Sequence, residues 1–318
     1  MQERPIGDLV DALLQLGASV KYLGKEGFPP LQISGVKKVE TEEIEINAEK
    51  SSQYVSAVML AASSLKKGLR IRIKNLKGSL PYIKLTAAIM QEAGIAVTFS
   101  ENLIEIKPSQ FDDRKFLPEA DWSAASYWYS IVAISGQEFE LLGLKENSGQ
   151  GDAALINIFR QLEIDTQFTD QGIIIKPNGK KPKRFAYNFR NQPDLAQTLV
   201  VCCAVLGIAG EFSGLESLRI KETDRIAALQ NELNKFGWTL TSADDEHWKL
   251  EQKGSIQENI EIETYEDHRM AMAFAPWVLS TGMLYIRNAE VVEKSYPEFW
   301  KDLSKSGIRV NELAHEWK

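Results

Sequence analysis

A repeat constrains this chain more than any other feature of its sequence. Four apolar segments, residues 52–65, 123–135, 194–206 and 267–280, each open on Ser or Asp, residue types that cap helix N-termini. Each is apolar almost all round, as at 58–62 (VMLAA) and 270–274 (MAMAF), which suits a helix buried in a core rather than one lying on a surface. A second set of helix starts, at Ser79, Gln150, Lys221 and Lys294, follows Ser52, Ser123, Asp194 and Asp267 by 27 positions in every case. The first helices are themselves 71, 71 and 73 positions apart. Strand signals separate the paired helices at 69–73, 139–142 and 283–286, and strand pairs follow at 98–106 and 167–175. Each unit therefore reads strand, helix, strand, helix, strand, strand. One such unit cannot cover its own apolar helix, so several must turn these helices inward with the sheets outside.

The expected class is α/β (α+β), in two domains of like build. Residues 119–318 hold three units; residues 1–118 form an incomplete first domain, the end of one unit plus one full unit, with the junction near 117–120. Residues 5–20 match the second helix of a unit, and the first helix of that unit would precede Met1, so an N-terminal part is expected to be absent. A length of 318 residues is ample for two apolar cores. The formal net charge of −7 argues against general nucleic-acid or membrane-surface binding. The one basic run, 178–184, sits at a Gly/Pro turn and reads as a solvated loop. The longest apolar run, 199–206, is far short of the roughly 20 residues a membrane span needs, and the N-terminus has no signal-peptide hydrophobic region. Cys202 and Cys203 are neighbours on a buried helix and point in different directions, which suits core packing in a reducing cytoplasm rather than a metal or disulfide.

Chemistry concentrates at the helix starts. Residues 217–225 (SLRIKETDR) gather Arg219, Lys221 and Arg225 around Glu222 and Asp224. On a helix opening at Lys221, Lys221 and Arg225 share a face and Glu222 is turned about 100° away. Two cations and a carboxylate suit an anionic substrate that exchanges a proton; a salt-bridged helix start is the plainer alternative. Equivalent corners hold Ser51, Ser52, Gln53 and Ser79 as neutral donors, Asp194, the run Asp267-His268-Arg269, and Lys294. Stacked helix N-termini, each carrying roughly half a positive charge, would favour phosphate or carboxylate in one cleft, and arginines grip such groups with two hydrogen bonds. Asp194 and Glu222 are the candidate proton handlers, although Asp194 also suits a helix cap. Asp267 reads as a cap that orients Arg269. His268, flanked by charge, is a candidate auxiliary group; His247 and His315 read as surface. The run Gly149-Gln150-Gly151-Asp152 mimics a dinucleotide fingerprint, but no acidic ribose ligand follows it, so no nucleotide cofactor is expected.

Residues 219–225 (RIKETDR) and 267–272 (DHRMAM) together resemble the 3-phosphoshikimate 1-carboxyvinyltransferase family, also called EPSP synthase. The likeness extends in order to 3–12, 51–53, 81–83, Pro193-Asp194 and 294–297, over essentially the whole chain. It implies a two-domain enolpyruvyl transferase fold of βαβαββ units closing on substrate, and a cytoplasmic monomer without metal or organic cofactor. The implied reaction moves the enolpyruvyl group of phosphoenolpyruvate to the 5-hydroxyl of shikimate 3-phosphate, on the route to aromatic amino acids. By the same resemblance Ser51, Ser52, Gln53, Ser79, Asp194 and Lys221 are implied shikimate 3-phosphate ligands, and Gln53, Arg225, Arg269 and Lys294 implied phosphoenolpyruvate ligands. Asp194 is the implied base for the attacking hydroxyl, and Glu222 handles the proton at the methylene carbon. The family's amino-terminal Lys-Ser, downstream Arg and Asn-Ala-Gly loop are not in this sequence, so weak activity, or a remnant that only binds shikimate 3-phosphate, are the alternative expectations. Ser217 stands where the family usually has Asn, so that sugar contact does not carry over. Transferases acting on UDP-N-acetylglucosamine are the other related class, and the charged motif pair argues against them.

Overall fold

The computed structural model describes residues 4–313 apart from 37, 38, 40, 50, 77, 79, 110–112 and 114. Its buried apolar residues form two clusters, one drawn from Ala12 to Ile106 and the other from Trp122 to Leu303.

The first cluster lies under α1 (Gly7–Gln15), the hairpin β1 (Ser19–Tyr22) and β2 (Leu31–Ser34), then β3 (Glu43–Asn47), α2 (Ser52–Ala62), β4 (Leu69–Lys74), α3 (Leu80–Glu92), β5 (Val97–Ser100) and β6 (Leu103–Ile106). Strands β3 and β4 pair in parallel, with Ile44 opposite Ile71, and α2 is the crossover that a parallel pair requires. The sheet continues antiparallel, giving the order β3-β4-β6-β5. In β4, Leu69, Ile71 and Ile73 are buried while Arg70 and Lys74 are exposed, the two-residue alternation of a sheet with one wet face.

The second cluster is built by α4 (Trp122–Ser135), β7 (Phe139–Leu142), α5 (Leu155–Arg160), β8 (Ile164–Phe168) and β9 (Gly172–Pro177). It continues with β10 (Arg184–Asn188), α6 (Ala196–Val205), β11 (Ala209–Ser213), α7 (Arg225–Lys235), β12 (Trp238–Ser242) and β13 (His247–Gln252). Last come β14 (Glu261–Ile262), α8 (His268–Phe274), α9 (Val278–Thr281), β15 (Tyr285–Ile286) and α10 (Phe299–Lys305). The sheet β10-β11-β13-β12 repeats both the order and the strand directions of β3-β4-β6-β5, so the period in the sequence is a period in the fold. Among the described residues, sheet β7-β9-β8 has no leading parallel strand. The third unit departs further: β14 and β15 pair over two residues each, and no strand pair follows α10 among the described residues.

The expectation of four buried helices holds for α4, α6 and α8. Helix α6 packs against both α4 and α8, and Ala196 through Ala204 are buried without a break, Cys202 and Cys203 included. Burial pushes the Cys202 thiol up to about 11, so it is neutral packing material. Helix α2 is different. Val55, Val58 and Met59 face the core, but Gln53, Ala57, Leu60 and Ala61 are exposed, Leu60 by 55%. It packs on α1, α3 and β4 from one side only, so its apolar composition is not matched by burial all round. The segment 267–280 is also not one helix. Pro276 has no N–H to donate, and a 3-10 turn, Ala275–Trp277, separates α8 from α9. Among the described residues no helix is long and apolar enough to cross a membrane.

One glycine fixes the approach to the charged corner. Gly214 ends β11 with φ +71°, and a Cβ built there would meet the Arg190 backbone nitrogen at 2.4 Å. Both the left-handed backbone and the close approach exclude a side chain. Gly214→Ala is expected to cost about 2–4 kcal/mol in urea unfolding, from conformational strain plus overpacking. An unchanged midpoint would mean that the loop carrying residues 216–224 relaxes freely.

Candidate active site

Asp194 owes its position to Pro193. The 3-10 turn Pro193–Leu195 precedes α6, which begins only at Ala196, and the Asp194 side chain makes no capping hydrogen bond. Its carboxylate is left for other partners. Arg269 Nη2 lies 3.1 Å from Oδ2, Arg225 Nη1 lies 3.3 Å from Oδ1, and Arg269 Nη1 donates to the Asp194 carbonyl at 3.1 Å.

The corner at 217–225 folds differently from its helical reading. Residues 216–220 make a 3-10 turn, Lys221 is extended with φ −89° and ψ −145°, and α7 starts at Arg225. Asp224 is the cap, accepting from the Ile226 and Ala227 N–H groups at 3.1 Å. Helical spacing therefore does not relate Lys221 to Arg225, and Glu222 is not turned away. Its Oε2 accepts from Arg225 Nη2 at 2.9 Å and its Oε1 from Lys294 Nζ at 2.5 Å; Arg4 Nη1 lies 3.8 Å from the same Oε1. Arg219 leaves the cluster altogether and pairs with Asp224 and Asp245 at the surface, at 3.0 and 2.8 Å.

Arg225 is the centre of the cluster. It is 2% exposed and reaches Glu222, Asp194 and Asp267, the last through Nε at 2.6 Å. Asp267 caps α8 by accepting from the Arg269 N–H at 2.9 Å, as a capping aspartate should. Its carboxylate, however, holds the side chain of Arg225 rather than that of Arg269. His268 is buried with Nδ1 3.6 Å from Asp267, too far for a hydrogen bond. Burial first, then Arg269, push its pKa down to about 4, so the ring is neutral at pH 7.

The electrostatics follow from this crowding. Burial acts to raise the Asp194 carboxyl, but Arg269, Lys221 and Arg225 together overcome it and hold the group well below the usual carboxylate range. Burial likewise opposes the Glu222 anion, yet the Lys294 hydrogen bond and Arg225 bring it down to about 2. Burial lowers Lys221 despite the pull of Asp194. Arg225, Arg269 and Lys294 are thus already held by carboxylates, partners that an incoming anion could replace.

Asp194, Lys221, Glu222, Arg225, His268, Arg269 and Lys294, predicted from separate units, come together here. Ser51 caps α2, accepting from the Gln53 N–H at 3.2 Å, and Ser52 is buried beside it. Among the described residues no hydrogen bond or ion pair links Ser51, Ser52 or Gln53 to the charged cluster, and Ser79 lies outside the described residues.

Two residues were missed as members of the site. Tyr82, near the start of α3, places its hydroxyl 3.4 Å from Asp194 Oδ2 and 3.4 Å from Asp152 Oδ1, joining the two parts of the chain. Asp152 belongs to the run that mimics a dinucleotide fingerprint. Gly151 is needed there because a Cβ would meet Pro81 Cβ at 2.4 Å. The available signal was that the same repeat slot holds Leu80-Pro81-Tyr82 in one unit and Gly151-Asp152-Ala153 in another. A separate apolar cavity of about 680 Å³, lined by Trp128, Phe139, Leu141 and Tyr296, lies apart from these groups.

A family model described as EPSP synthase (3-phosphoshikimate 1-carboxyvinyltransferase) matches residues 1–303. The chain belongs to the EPSP synthase family. A 3-phosphoshikimate 1-carboxyvinyltransferase of Bacteroides fragilis is 44% identical over 313 residues, covering 98% of this chain and 76% of that protein. One from Shewanella piezotolerans is 35% identical over 304 residues, covering 94% of this chain and 70% of that one. The solved EPSP synthase of Acinetobacter baumannii matches with a TM-score of 0.71 at 21% identity, over 96% of this chain and 71% of its own, a likeness of fold. Within the EPSP synthase family the charged cluster is the natural place to look for chemistry, because its members come from four separate segments yet meet around Arg225 and Asp194; the helix start expected at Lys294 is not found, since Lys294 closes a 3-10 turn and α10 begins at Phe299.

Proposed function

We propose that this chain transfers the enolpyruvyl group of phosphoenolpyruvate to the 5-hydroxyl of shikimate 3-phosphate, releasing phosphate, and that it does so as a cytoplasmic monomer. The observation that carries this reading is the meeting of Arg225, Arg269 and Lys294 with Asp194 and Glu222. Addition of an alcohol to an enol needs one proton removed from oxygen and one delivered to carbon, and the site offers one carboxylate for each task. Asp194 takes the hydroxyl proton as the oxygen attacks C2 of phosphoenolpyruvate; Glu222 serves the methylene carbon. The tetrahedral adduct carries two phosphates and a carboxylate, which Arg225, Arg269, Lys294 and Lys221 stabilise before phosphate leaves. Ser51, Ser52, Gln53 and Ser79 would complete the shikimate 3-phosphate contacts from the smaller part, which forms one of two domains, residues 1–118, against 119–318.

Substrate must displace carboxylates from these cations. Once Lys294 and Arg225 turn to phosphoenolpyruvate, Glu222 loses the partners that keep it near 2 and its proton affinity rises. Near pH 4.5, where the released carboxyl titrates, binding of phosphoenolpyruvate with shikimate 3-phosphate is therefore expected to draw a proton onto Glu222. Calorimetry in buffers of different ionisation enthalpy measures this directly; heats that do not depend on the buffer would contradict the exchange of partners. The function itself is tested by incubating the chain with both substrates and following phosphate release and the enol ether by NMR. Absence of product together with absence of shikimate 3-phosphate binding would overturn it; binding without product would favour the non-catalytic alternative.

A further inference from the structure

Asp152 is a buried carboxylate with no cation. It is 3% exposed, and no ion pair reaches it among the described residues. Its Oδ2 accepts a short hydrogen bond from Ser123 Oγ, at the start of α4. Its Oδ1 meets only the Tyr82 hydroxyl, at 3.4 Å, and that hydroxyl is equally 3.4 Å from Asp194 Oδ2. A burial of this kind is costly unless the charge is paired or the group can take a proton. Asp194 poses the complementary problem. It is the proposed base, yet Arg269, Lys221 and Arg225 stabilise its anion so strongly that it holds a proton poorly.

We propose that Asp152 is a positioning residue of the proton path, which receives through the Tyr82 hydroxyl the proton that Asp194 removes from the substrate hydroxyl. This rests on the enolpyruvyl transfer proposed above. As the Asp194 carboxyl gives its proton to Tyr82 Oη, the hydroxyl proton of Tyr82 passes to Asp152 Oδ1. Two O–H bonds break, two form, and one negative charge moves from Asp152 to Asp194. The reverse hop returns the proton. Transfer in this direction is downhill, because burial, and then the charge of Asp194, raise Asp152 to about 6, against the lowering effects of the Ser123 hydrogen bond and Arg269. The other groups facing Asp152 are Asp121 beside α4 and Tyr187 of β10.

The sign of each effect is fixed. At neutral pH Asp152 is ionised and can accept; below about 6 it is already protonated, so kcat should fall as pH drops through that value. The folded value lies above the ordinary 3.8, so the native state is favoured by the protonated form, and that stability is lost as pH rises through about 6. Asp152→Asn should therefore lower kcat while raising the melting temperature at pH 7.5, whereas a residue with a merely structural role would lower the melting temperature when replaced.

The experiment compares the full chain with Asp152→Asn, Tyr82→Phe and Ser123→Ala. Carboxyl titration by 13C NMR without substrate is expected to show a group with a midpoint near 6 that vanishes in Asp152→Asn, and kcat is followed across pH 5 to 9. Asp152→Asn is expected to lose about 10- to 100-fold in kcat, the lower part of the range for proton transfer, and to lose the acid limb. Ser123→Ala removes a bond that favours the anion, so the NMR midpoint and the acid limb should move up together. Unchanged kcat in Asp152→Asn, or an acid limb that stays put while the Ser123→Ala midpoint moves, would overturn the relay. A wild-type chain that turns over no substrate would instead defeat the transferase reading, and the relay would then be judged by titration alone. An Asp152 midpoint that Tyr82→Phe leaves unmoved would overturn the coupling.

Discussion

Arg225→Met is expected to lower the melting temperature by roughly 10 °C, the largest stability loss of any single change in the site. Arg225 is 2% exposed and Asp267 is fully buried, so removing the guanidinium leaves a buried carboxylate without its cation. Breaking a buried pair from one side costs about 3–5 kcal/mol, and each kcal/mol is worth about 2–4 °C in domains of roughly 150–250 residues. Replacing both partners tests the cause. Arg225→Met with Asp267→Asn should recover much of the loss, since the stranded charge is gone, and the two changes should be strongly non-additive. Calorimetry settles the comparison; a double variant that loses the simple sum of the two singles would show that shape, not charge, governs the site.

Glu222→Gln is expected to reduce kcat by about 10²- to 10⁴-fold while changing shikimate 3-phosphate affinity far less. The amide keeps the shape and can still accept from Lys294, but it can neither carry nor give up a proton at the methylene carbon. Stopped-flow turnover beside equilibrium binding separates the two quantities, and an unaltered rate would remove Glu222 from the proton role. The same variant has a signature in acid. The folded carboxyl lies near 2, below its ordinary 4.5, so its stabilising contribution is present above 4.5 and is lost as pH falls towards 2. Glu222→Gln should therefore flatten the acid unfolding curve in that window and leave its shape above pH 5 unchanged.

These two expectations come from a site in which Arg225, Arg269 and Lys294 are already engaged by carboxylates. Arg225 and Arg269 hold Asp194, and Lys294 holds Glu222. Such an arrangement gives both buried guanidinium groups carboxylate partners, while Arg269 Nε is left without a hydrogen bond. On the proposed function it would also tie the protonation of Asp194 and Glu222 to occupancy, because a bound anion would compete for the cations that hold them.

The sequence alone determined the repeat, the α/β class and the segments at which charge collects, and through RIKETDR and DHRMAM the family, but not the helix starts at Lys221 and Lys294, which lie at Arg225 and Phe299. These are short-range properties. Apolar periodicity, a capping serine or aspartate and a strand of alternating residues are legible within one or two helical turns, because the backbone forces that produce them act over that distance. Even so, local reading failed at 217–225, where a 3-10 turn and an extended Lys221 displaced the helix start to Arg225, and at α2, whose apolar composition did not mean burial. The partners were decided by tertiary structure alone. Arg225 meets Asp267 from 42 positions away, Lys294 meets Glu222 from 72, and Tyr82 meets Asp194 from 112. No local pattern encodes which cation will face which carboxylate, because that depends on how the repeated units stack, and only stacking brings Asp152, Tyr82 and Asp194 into line.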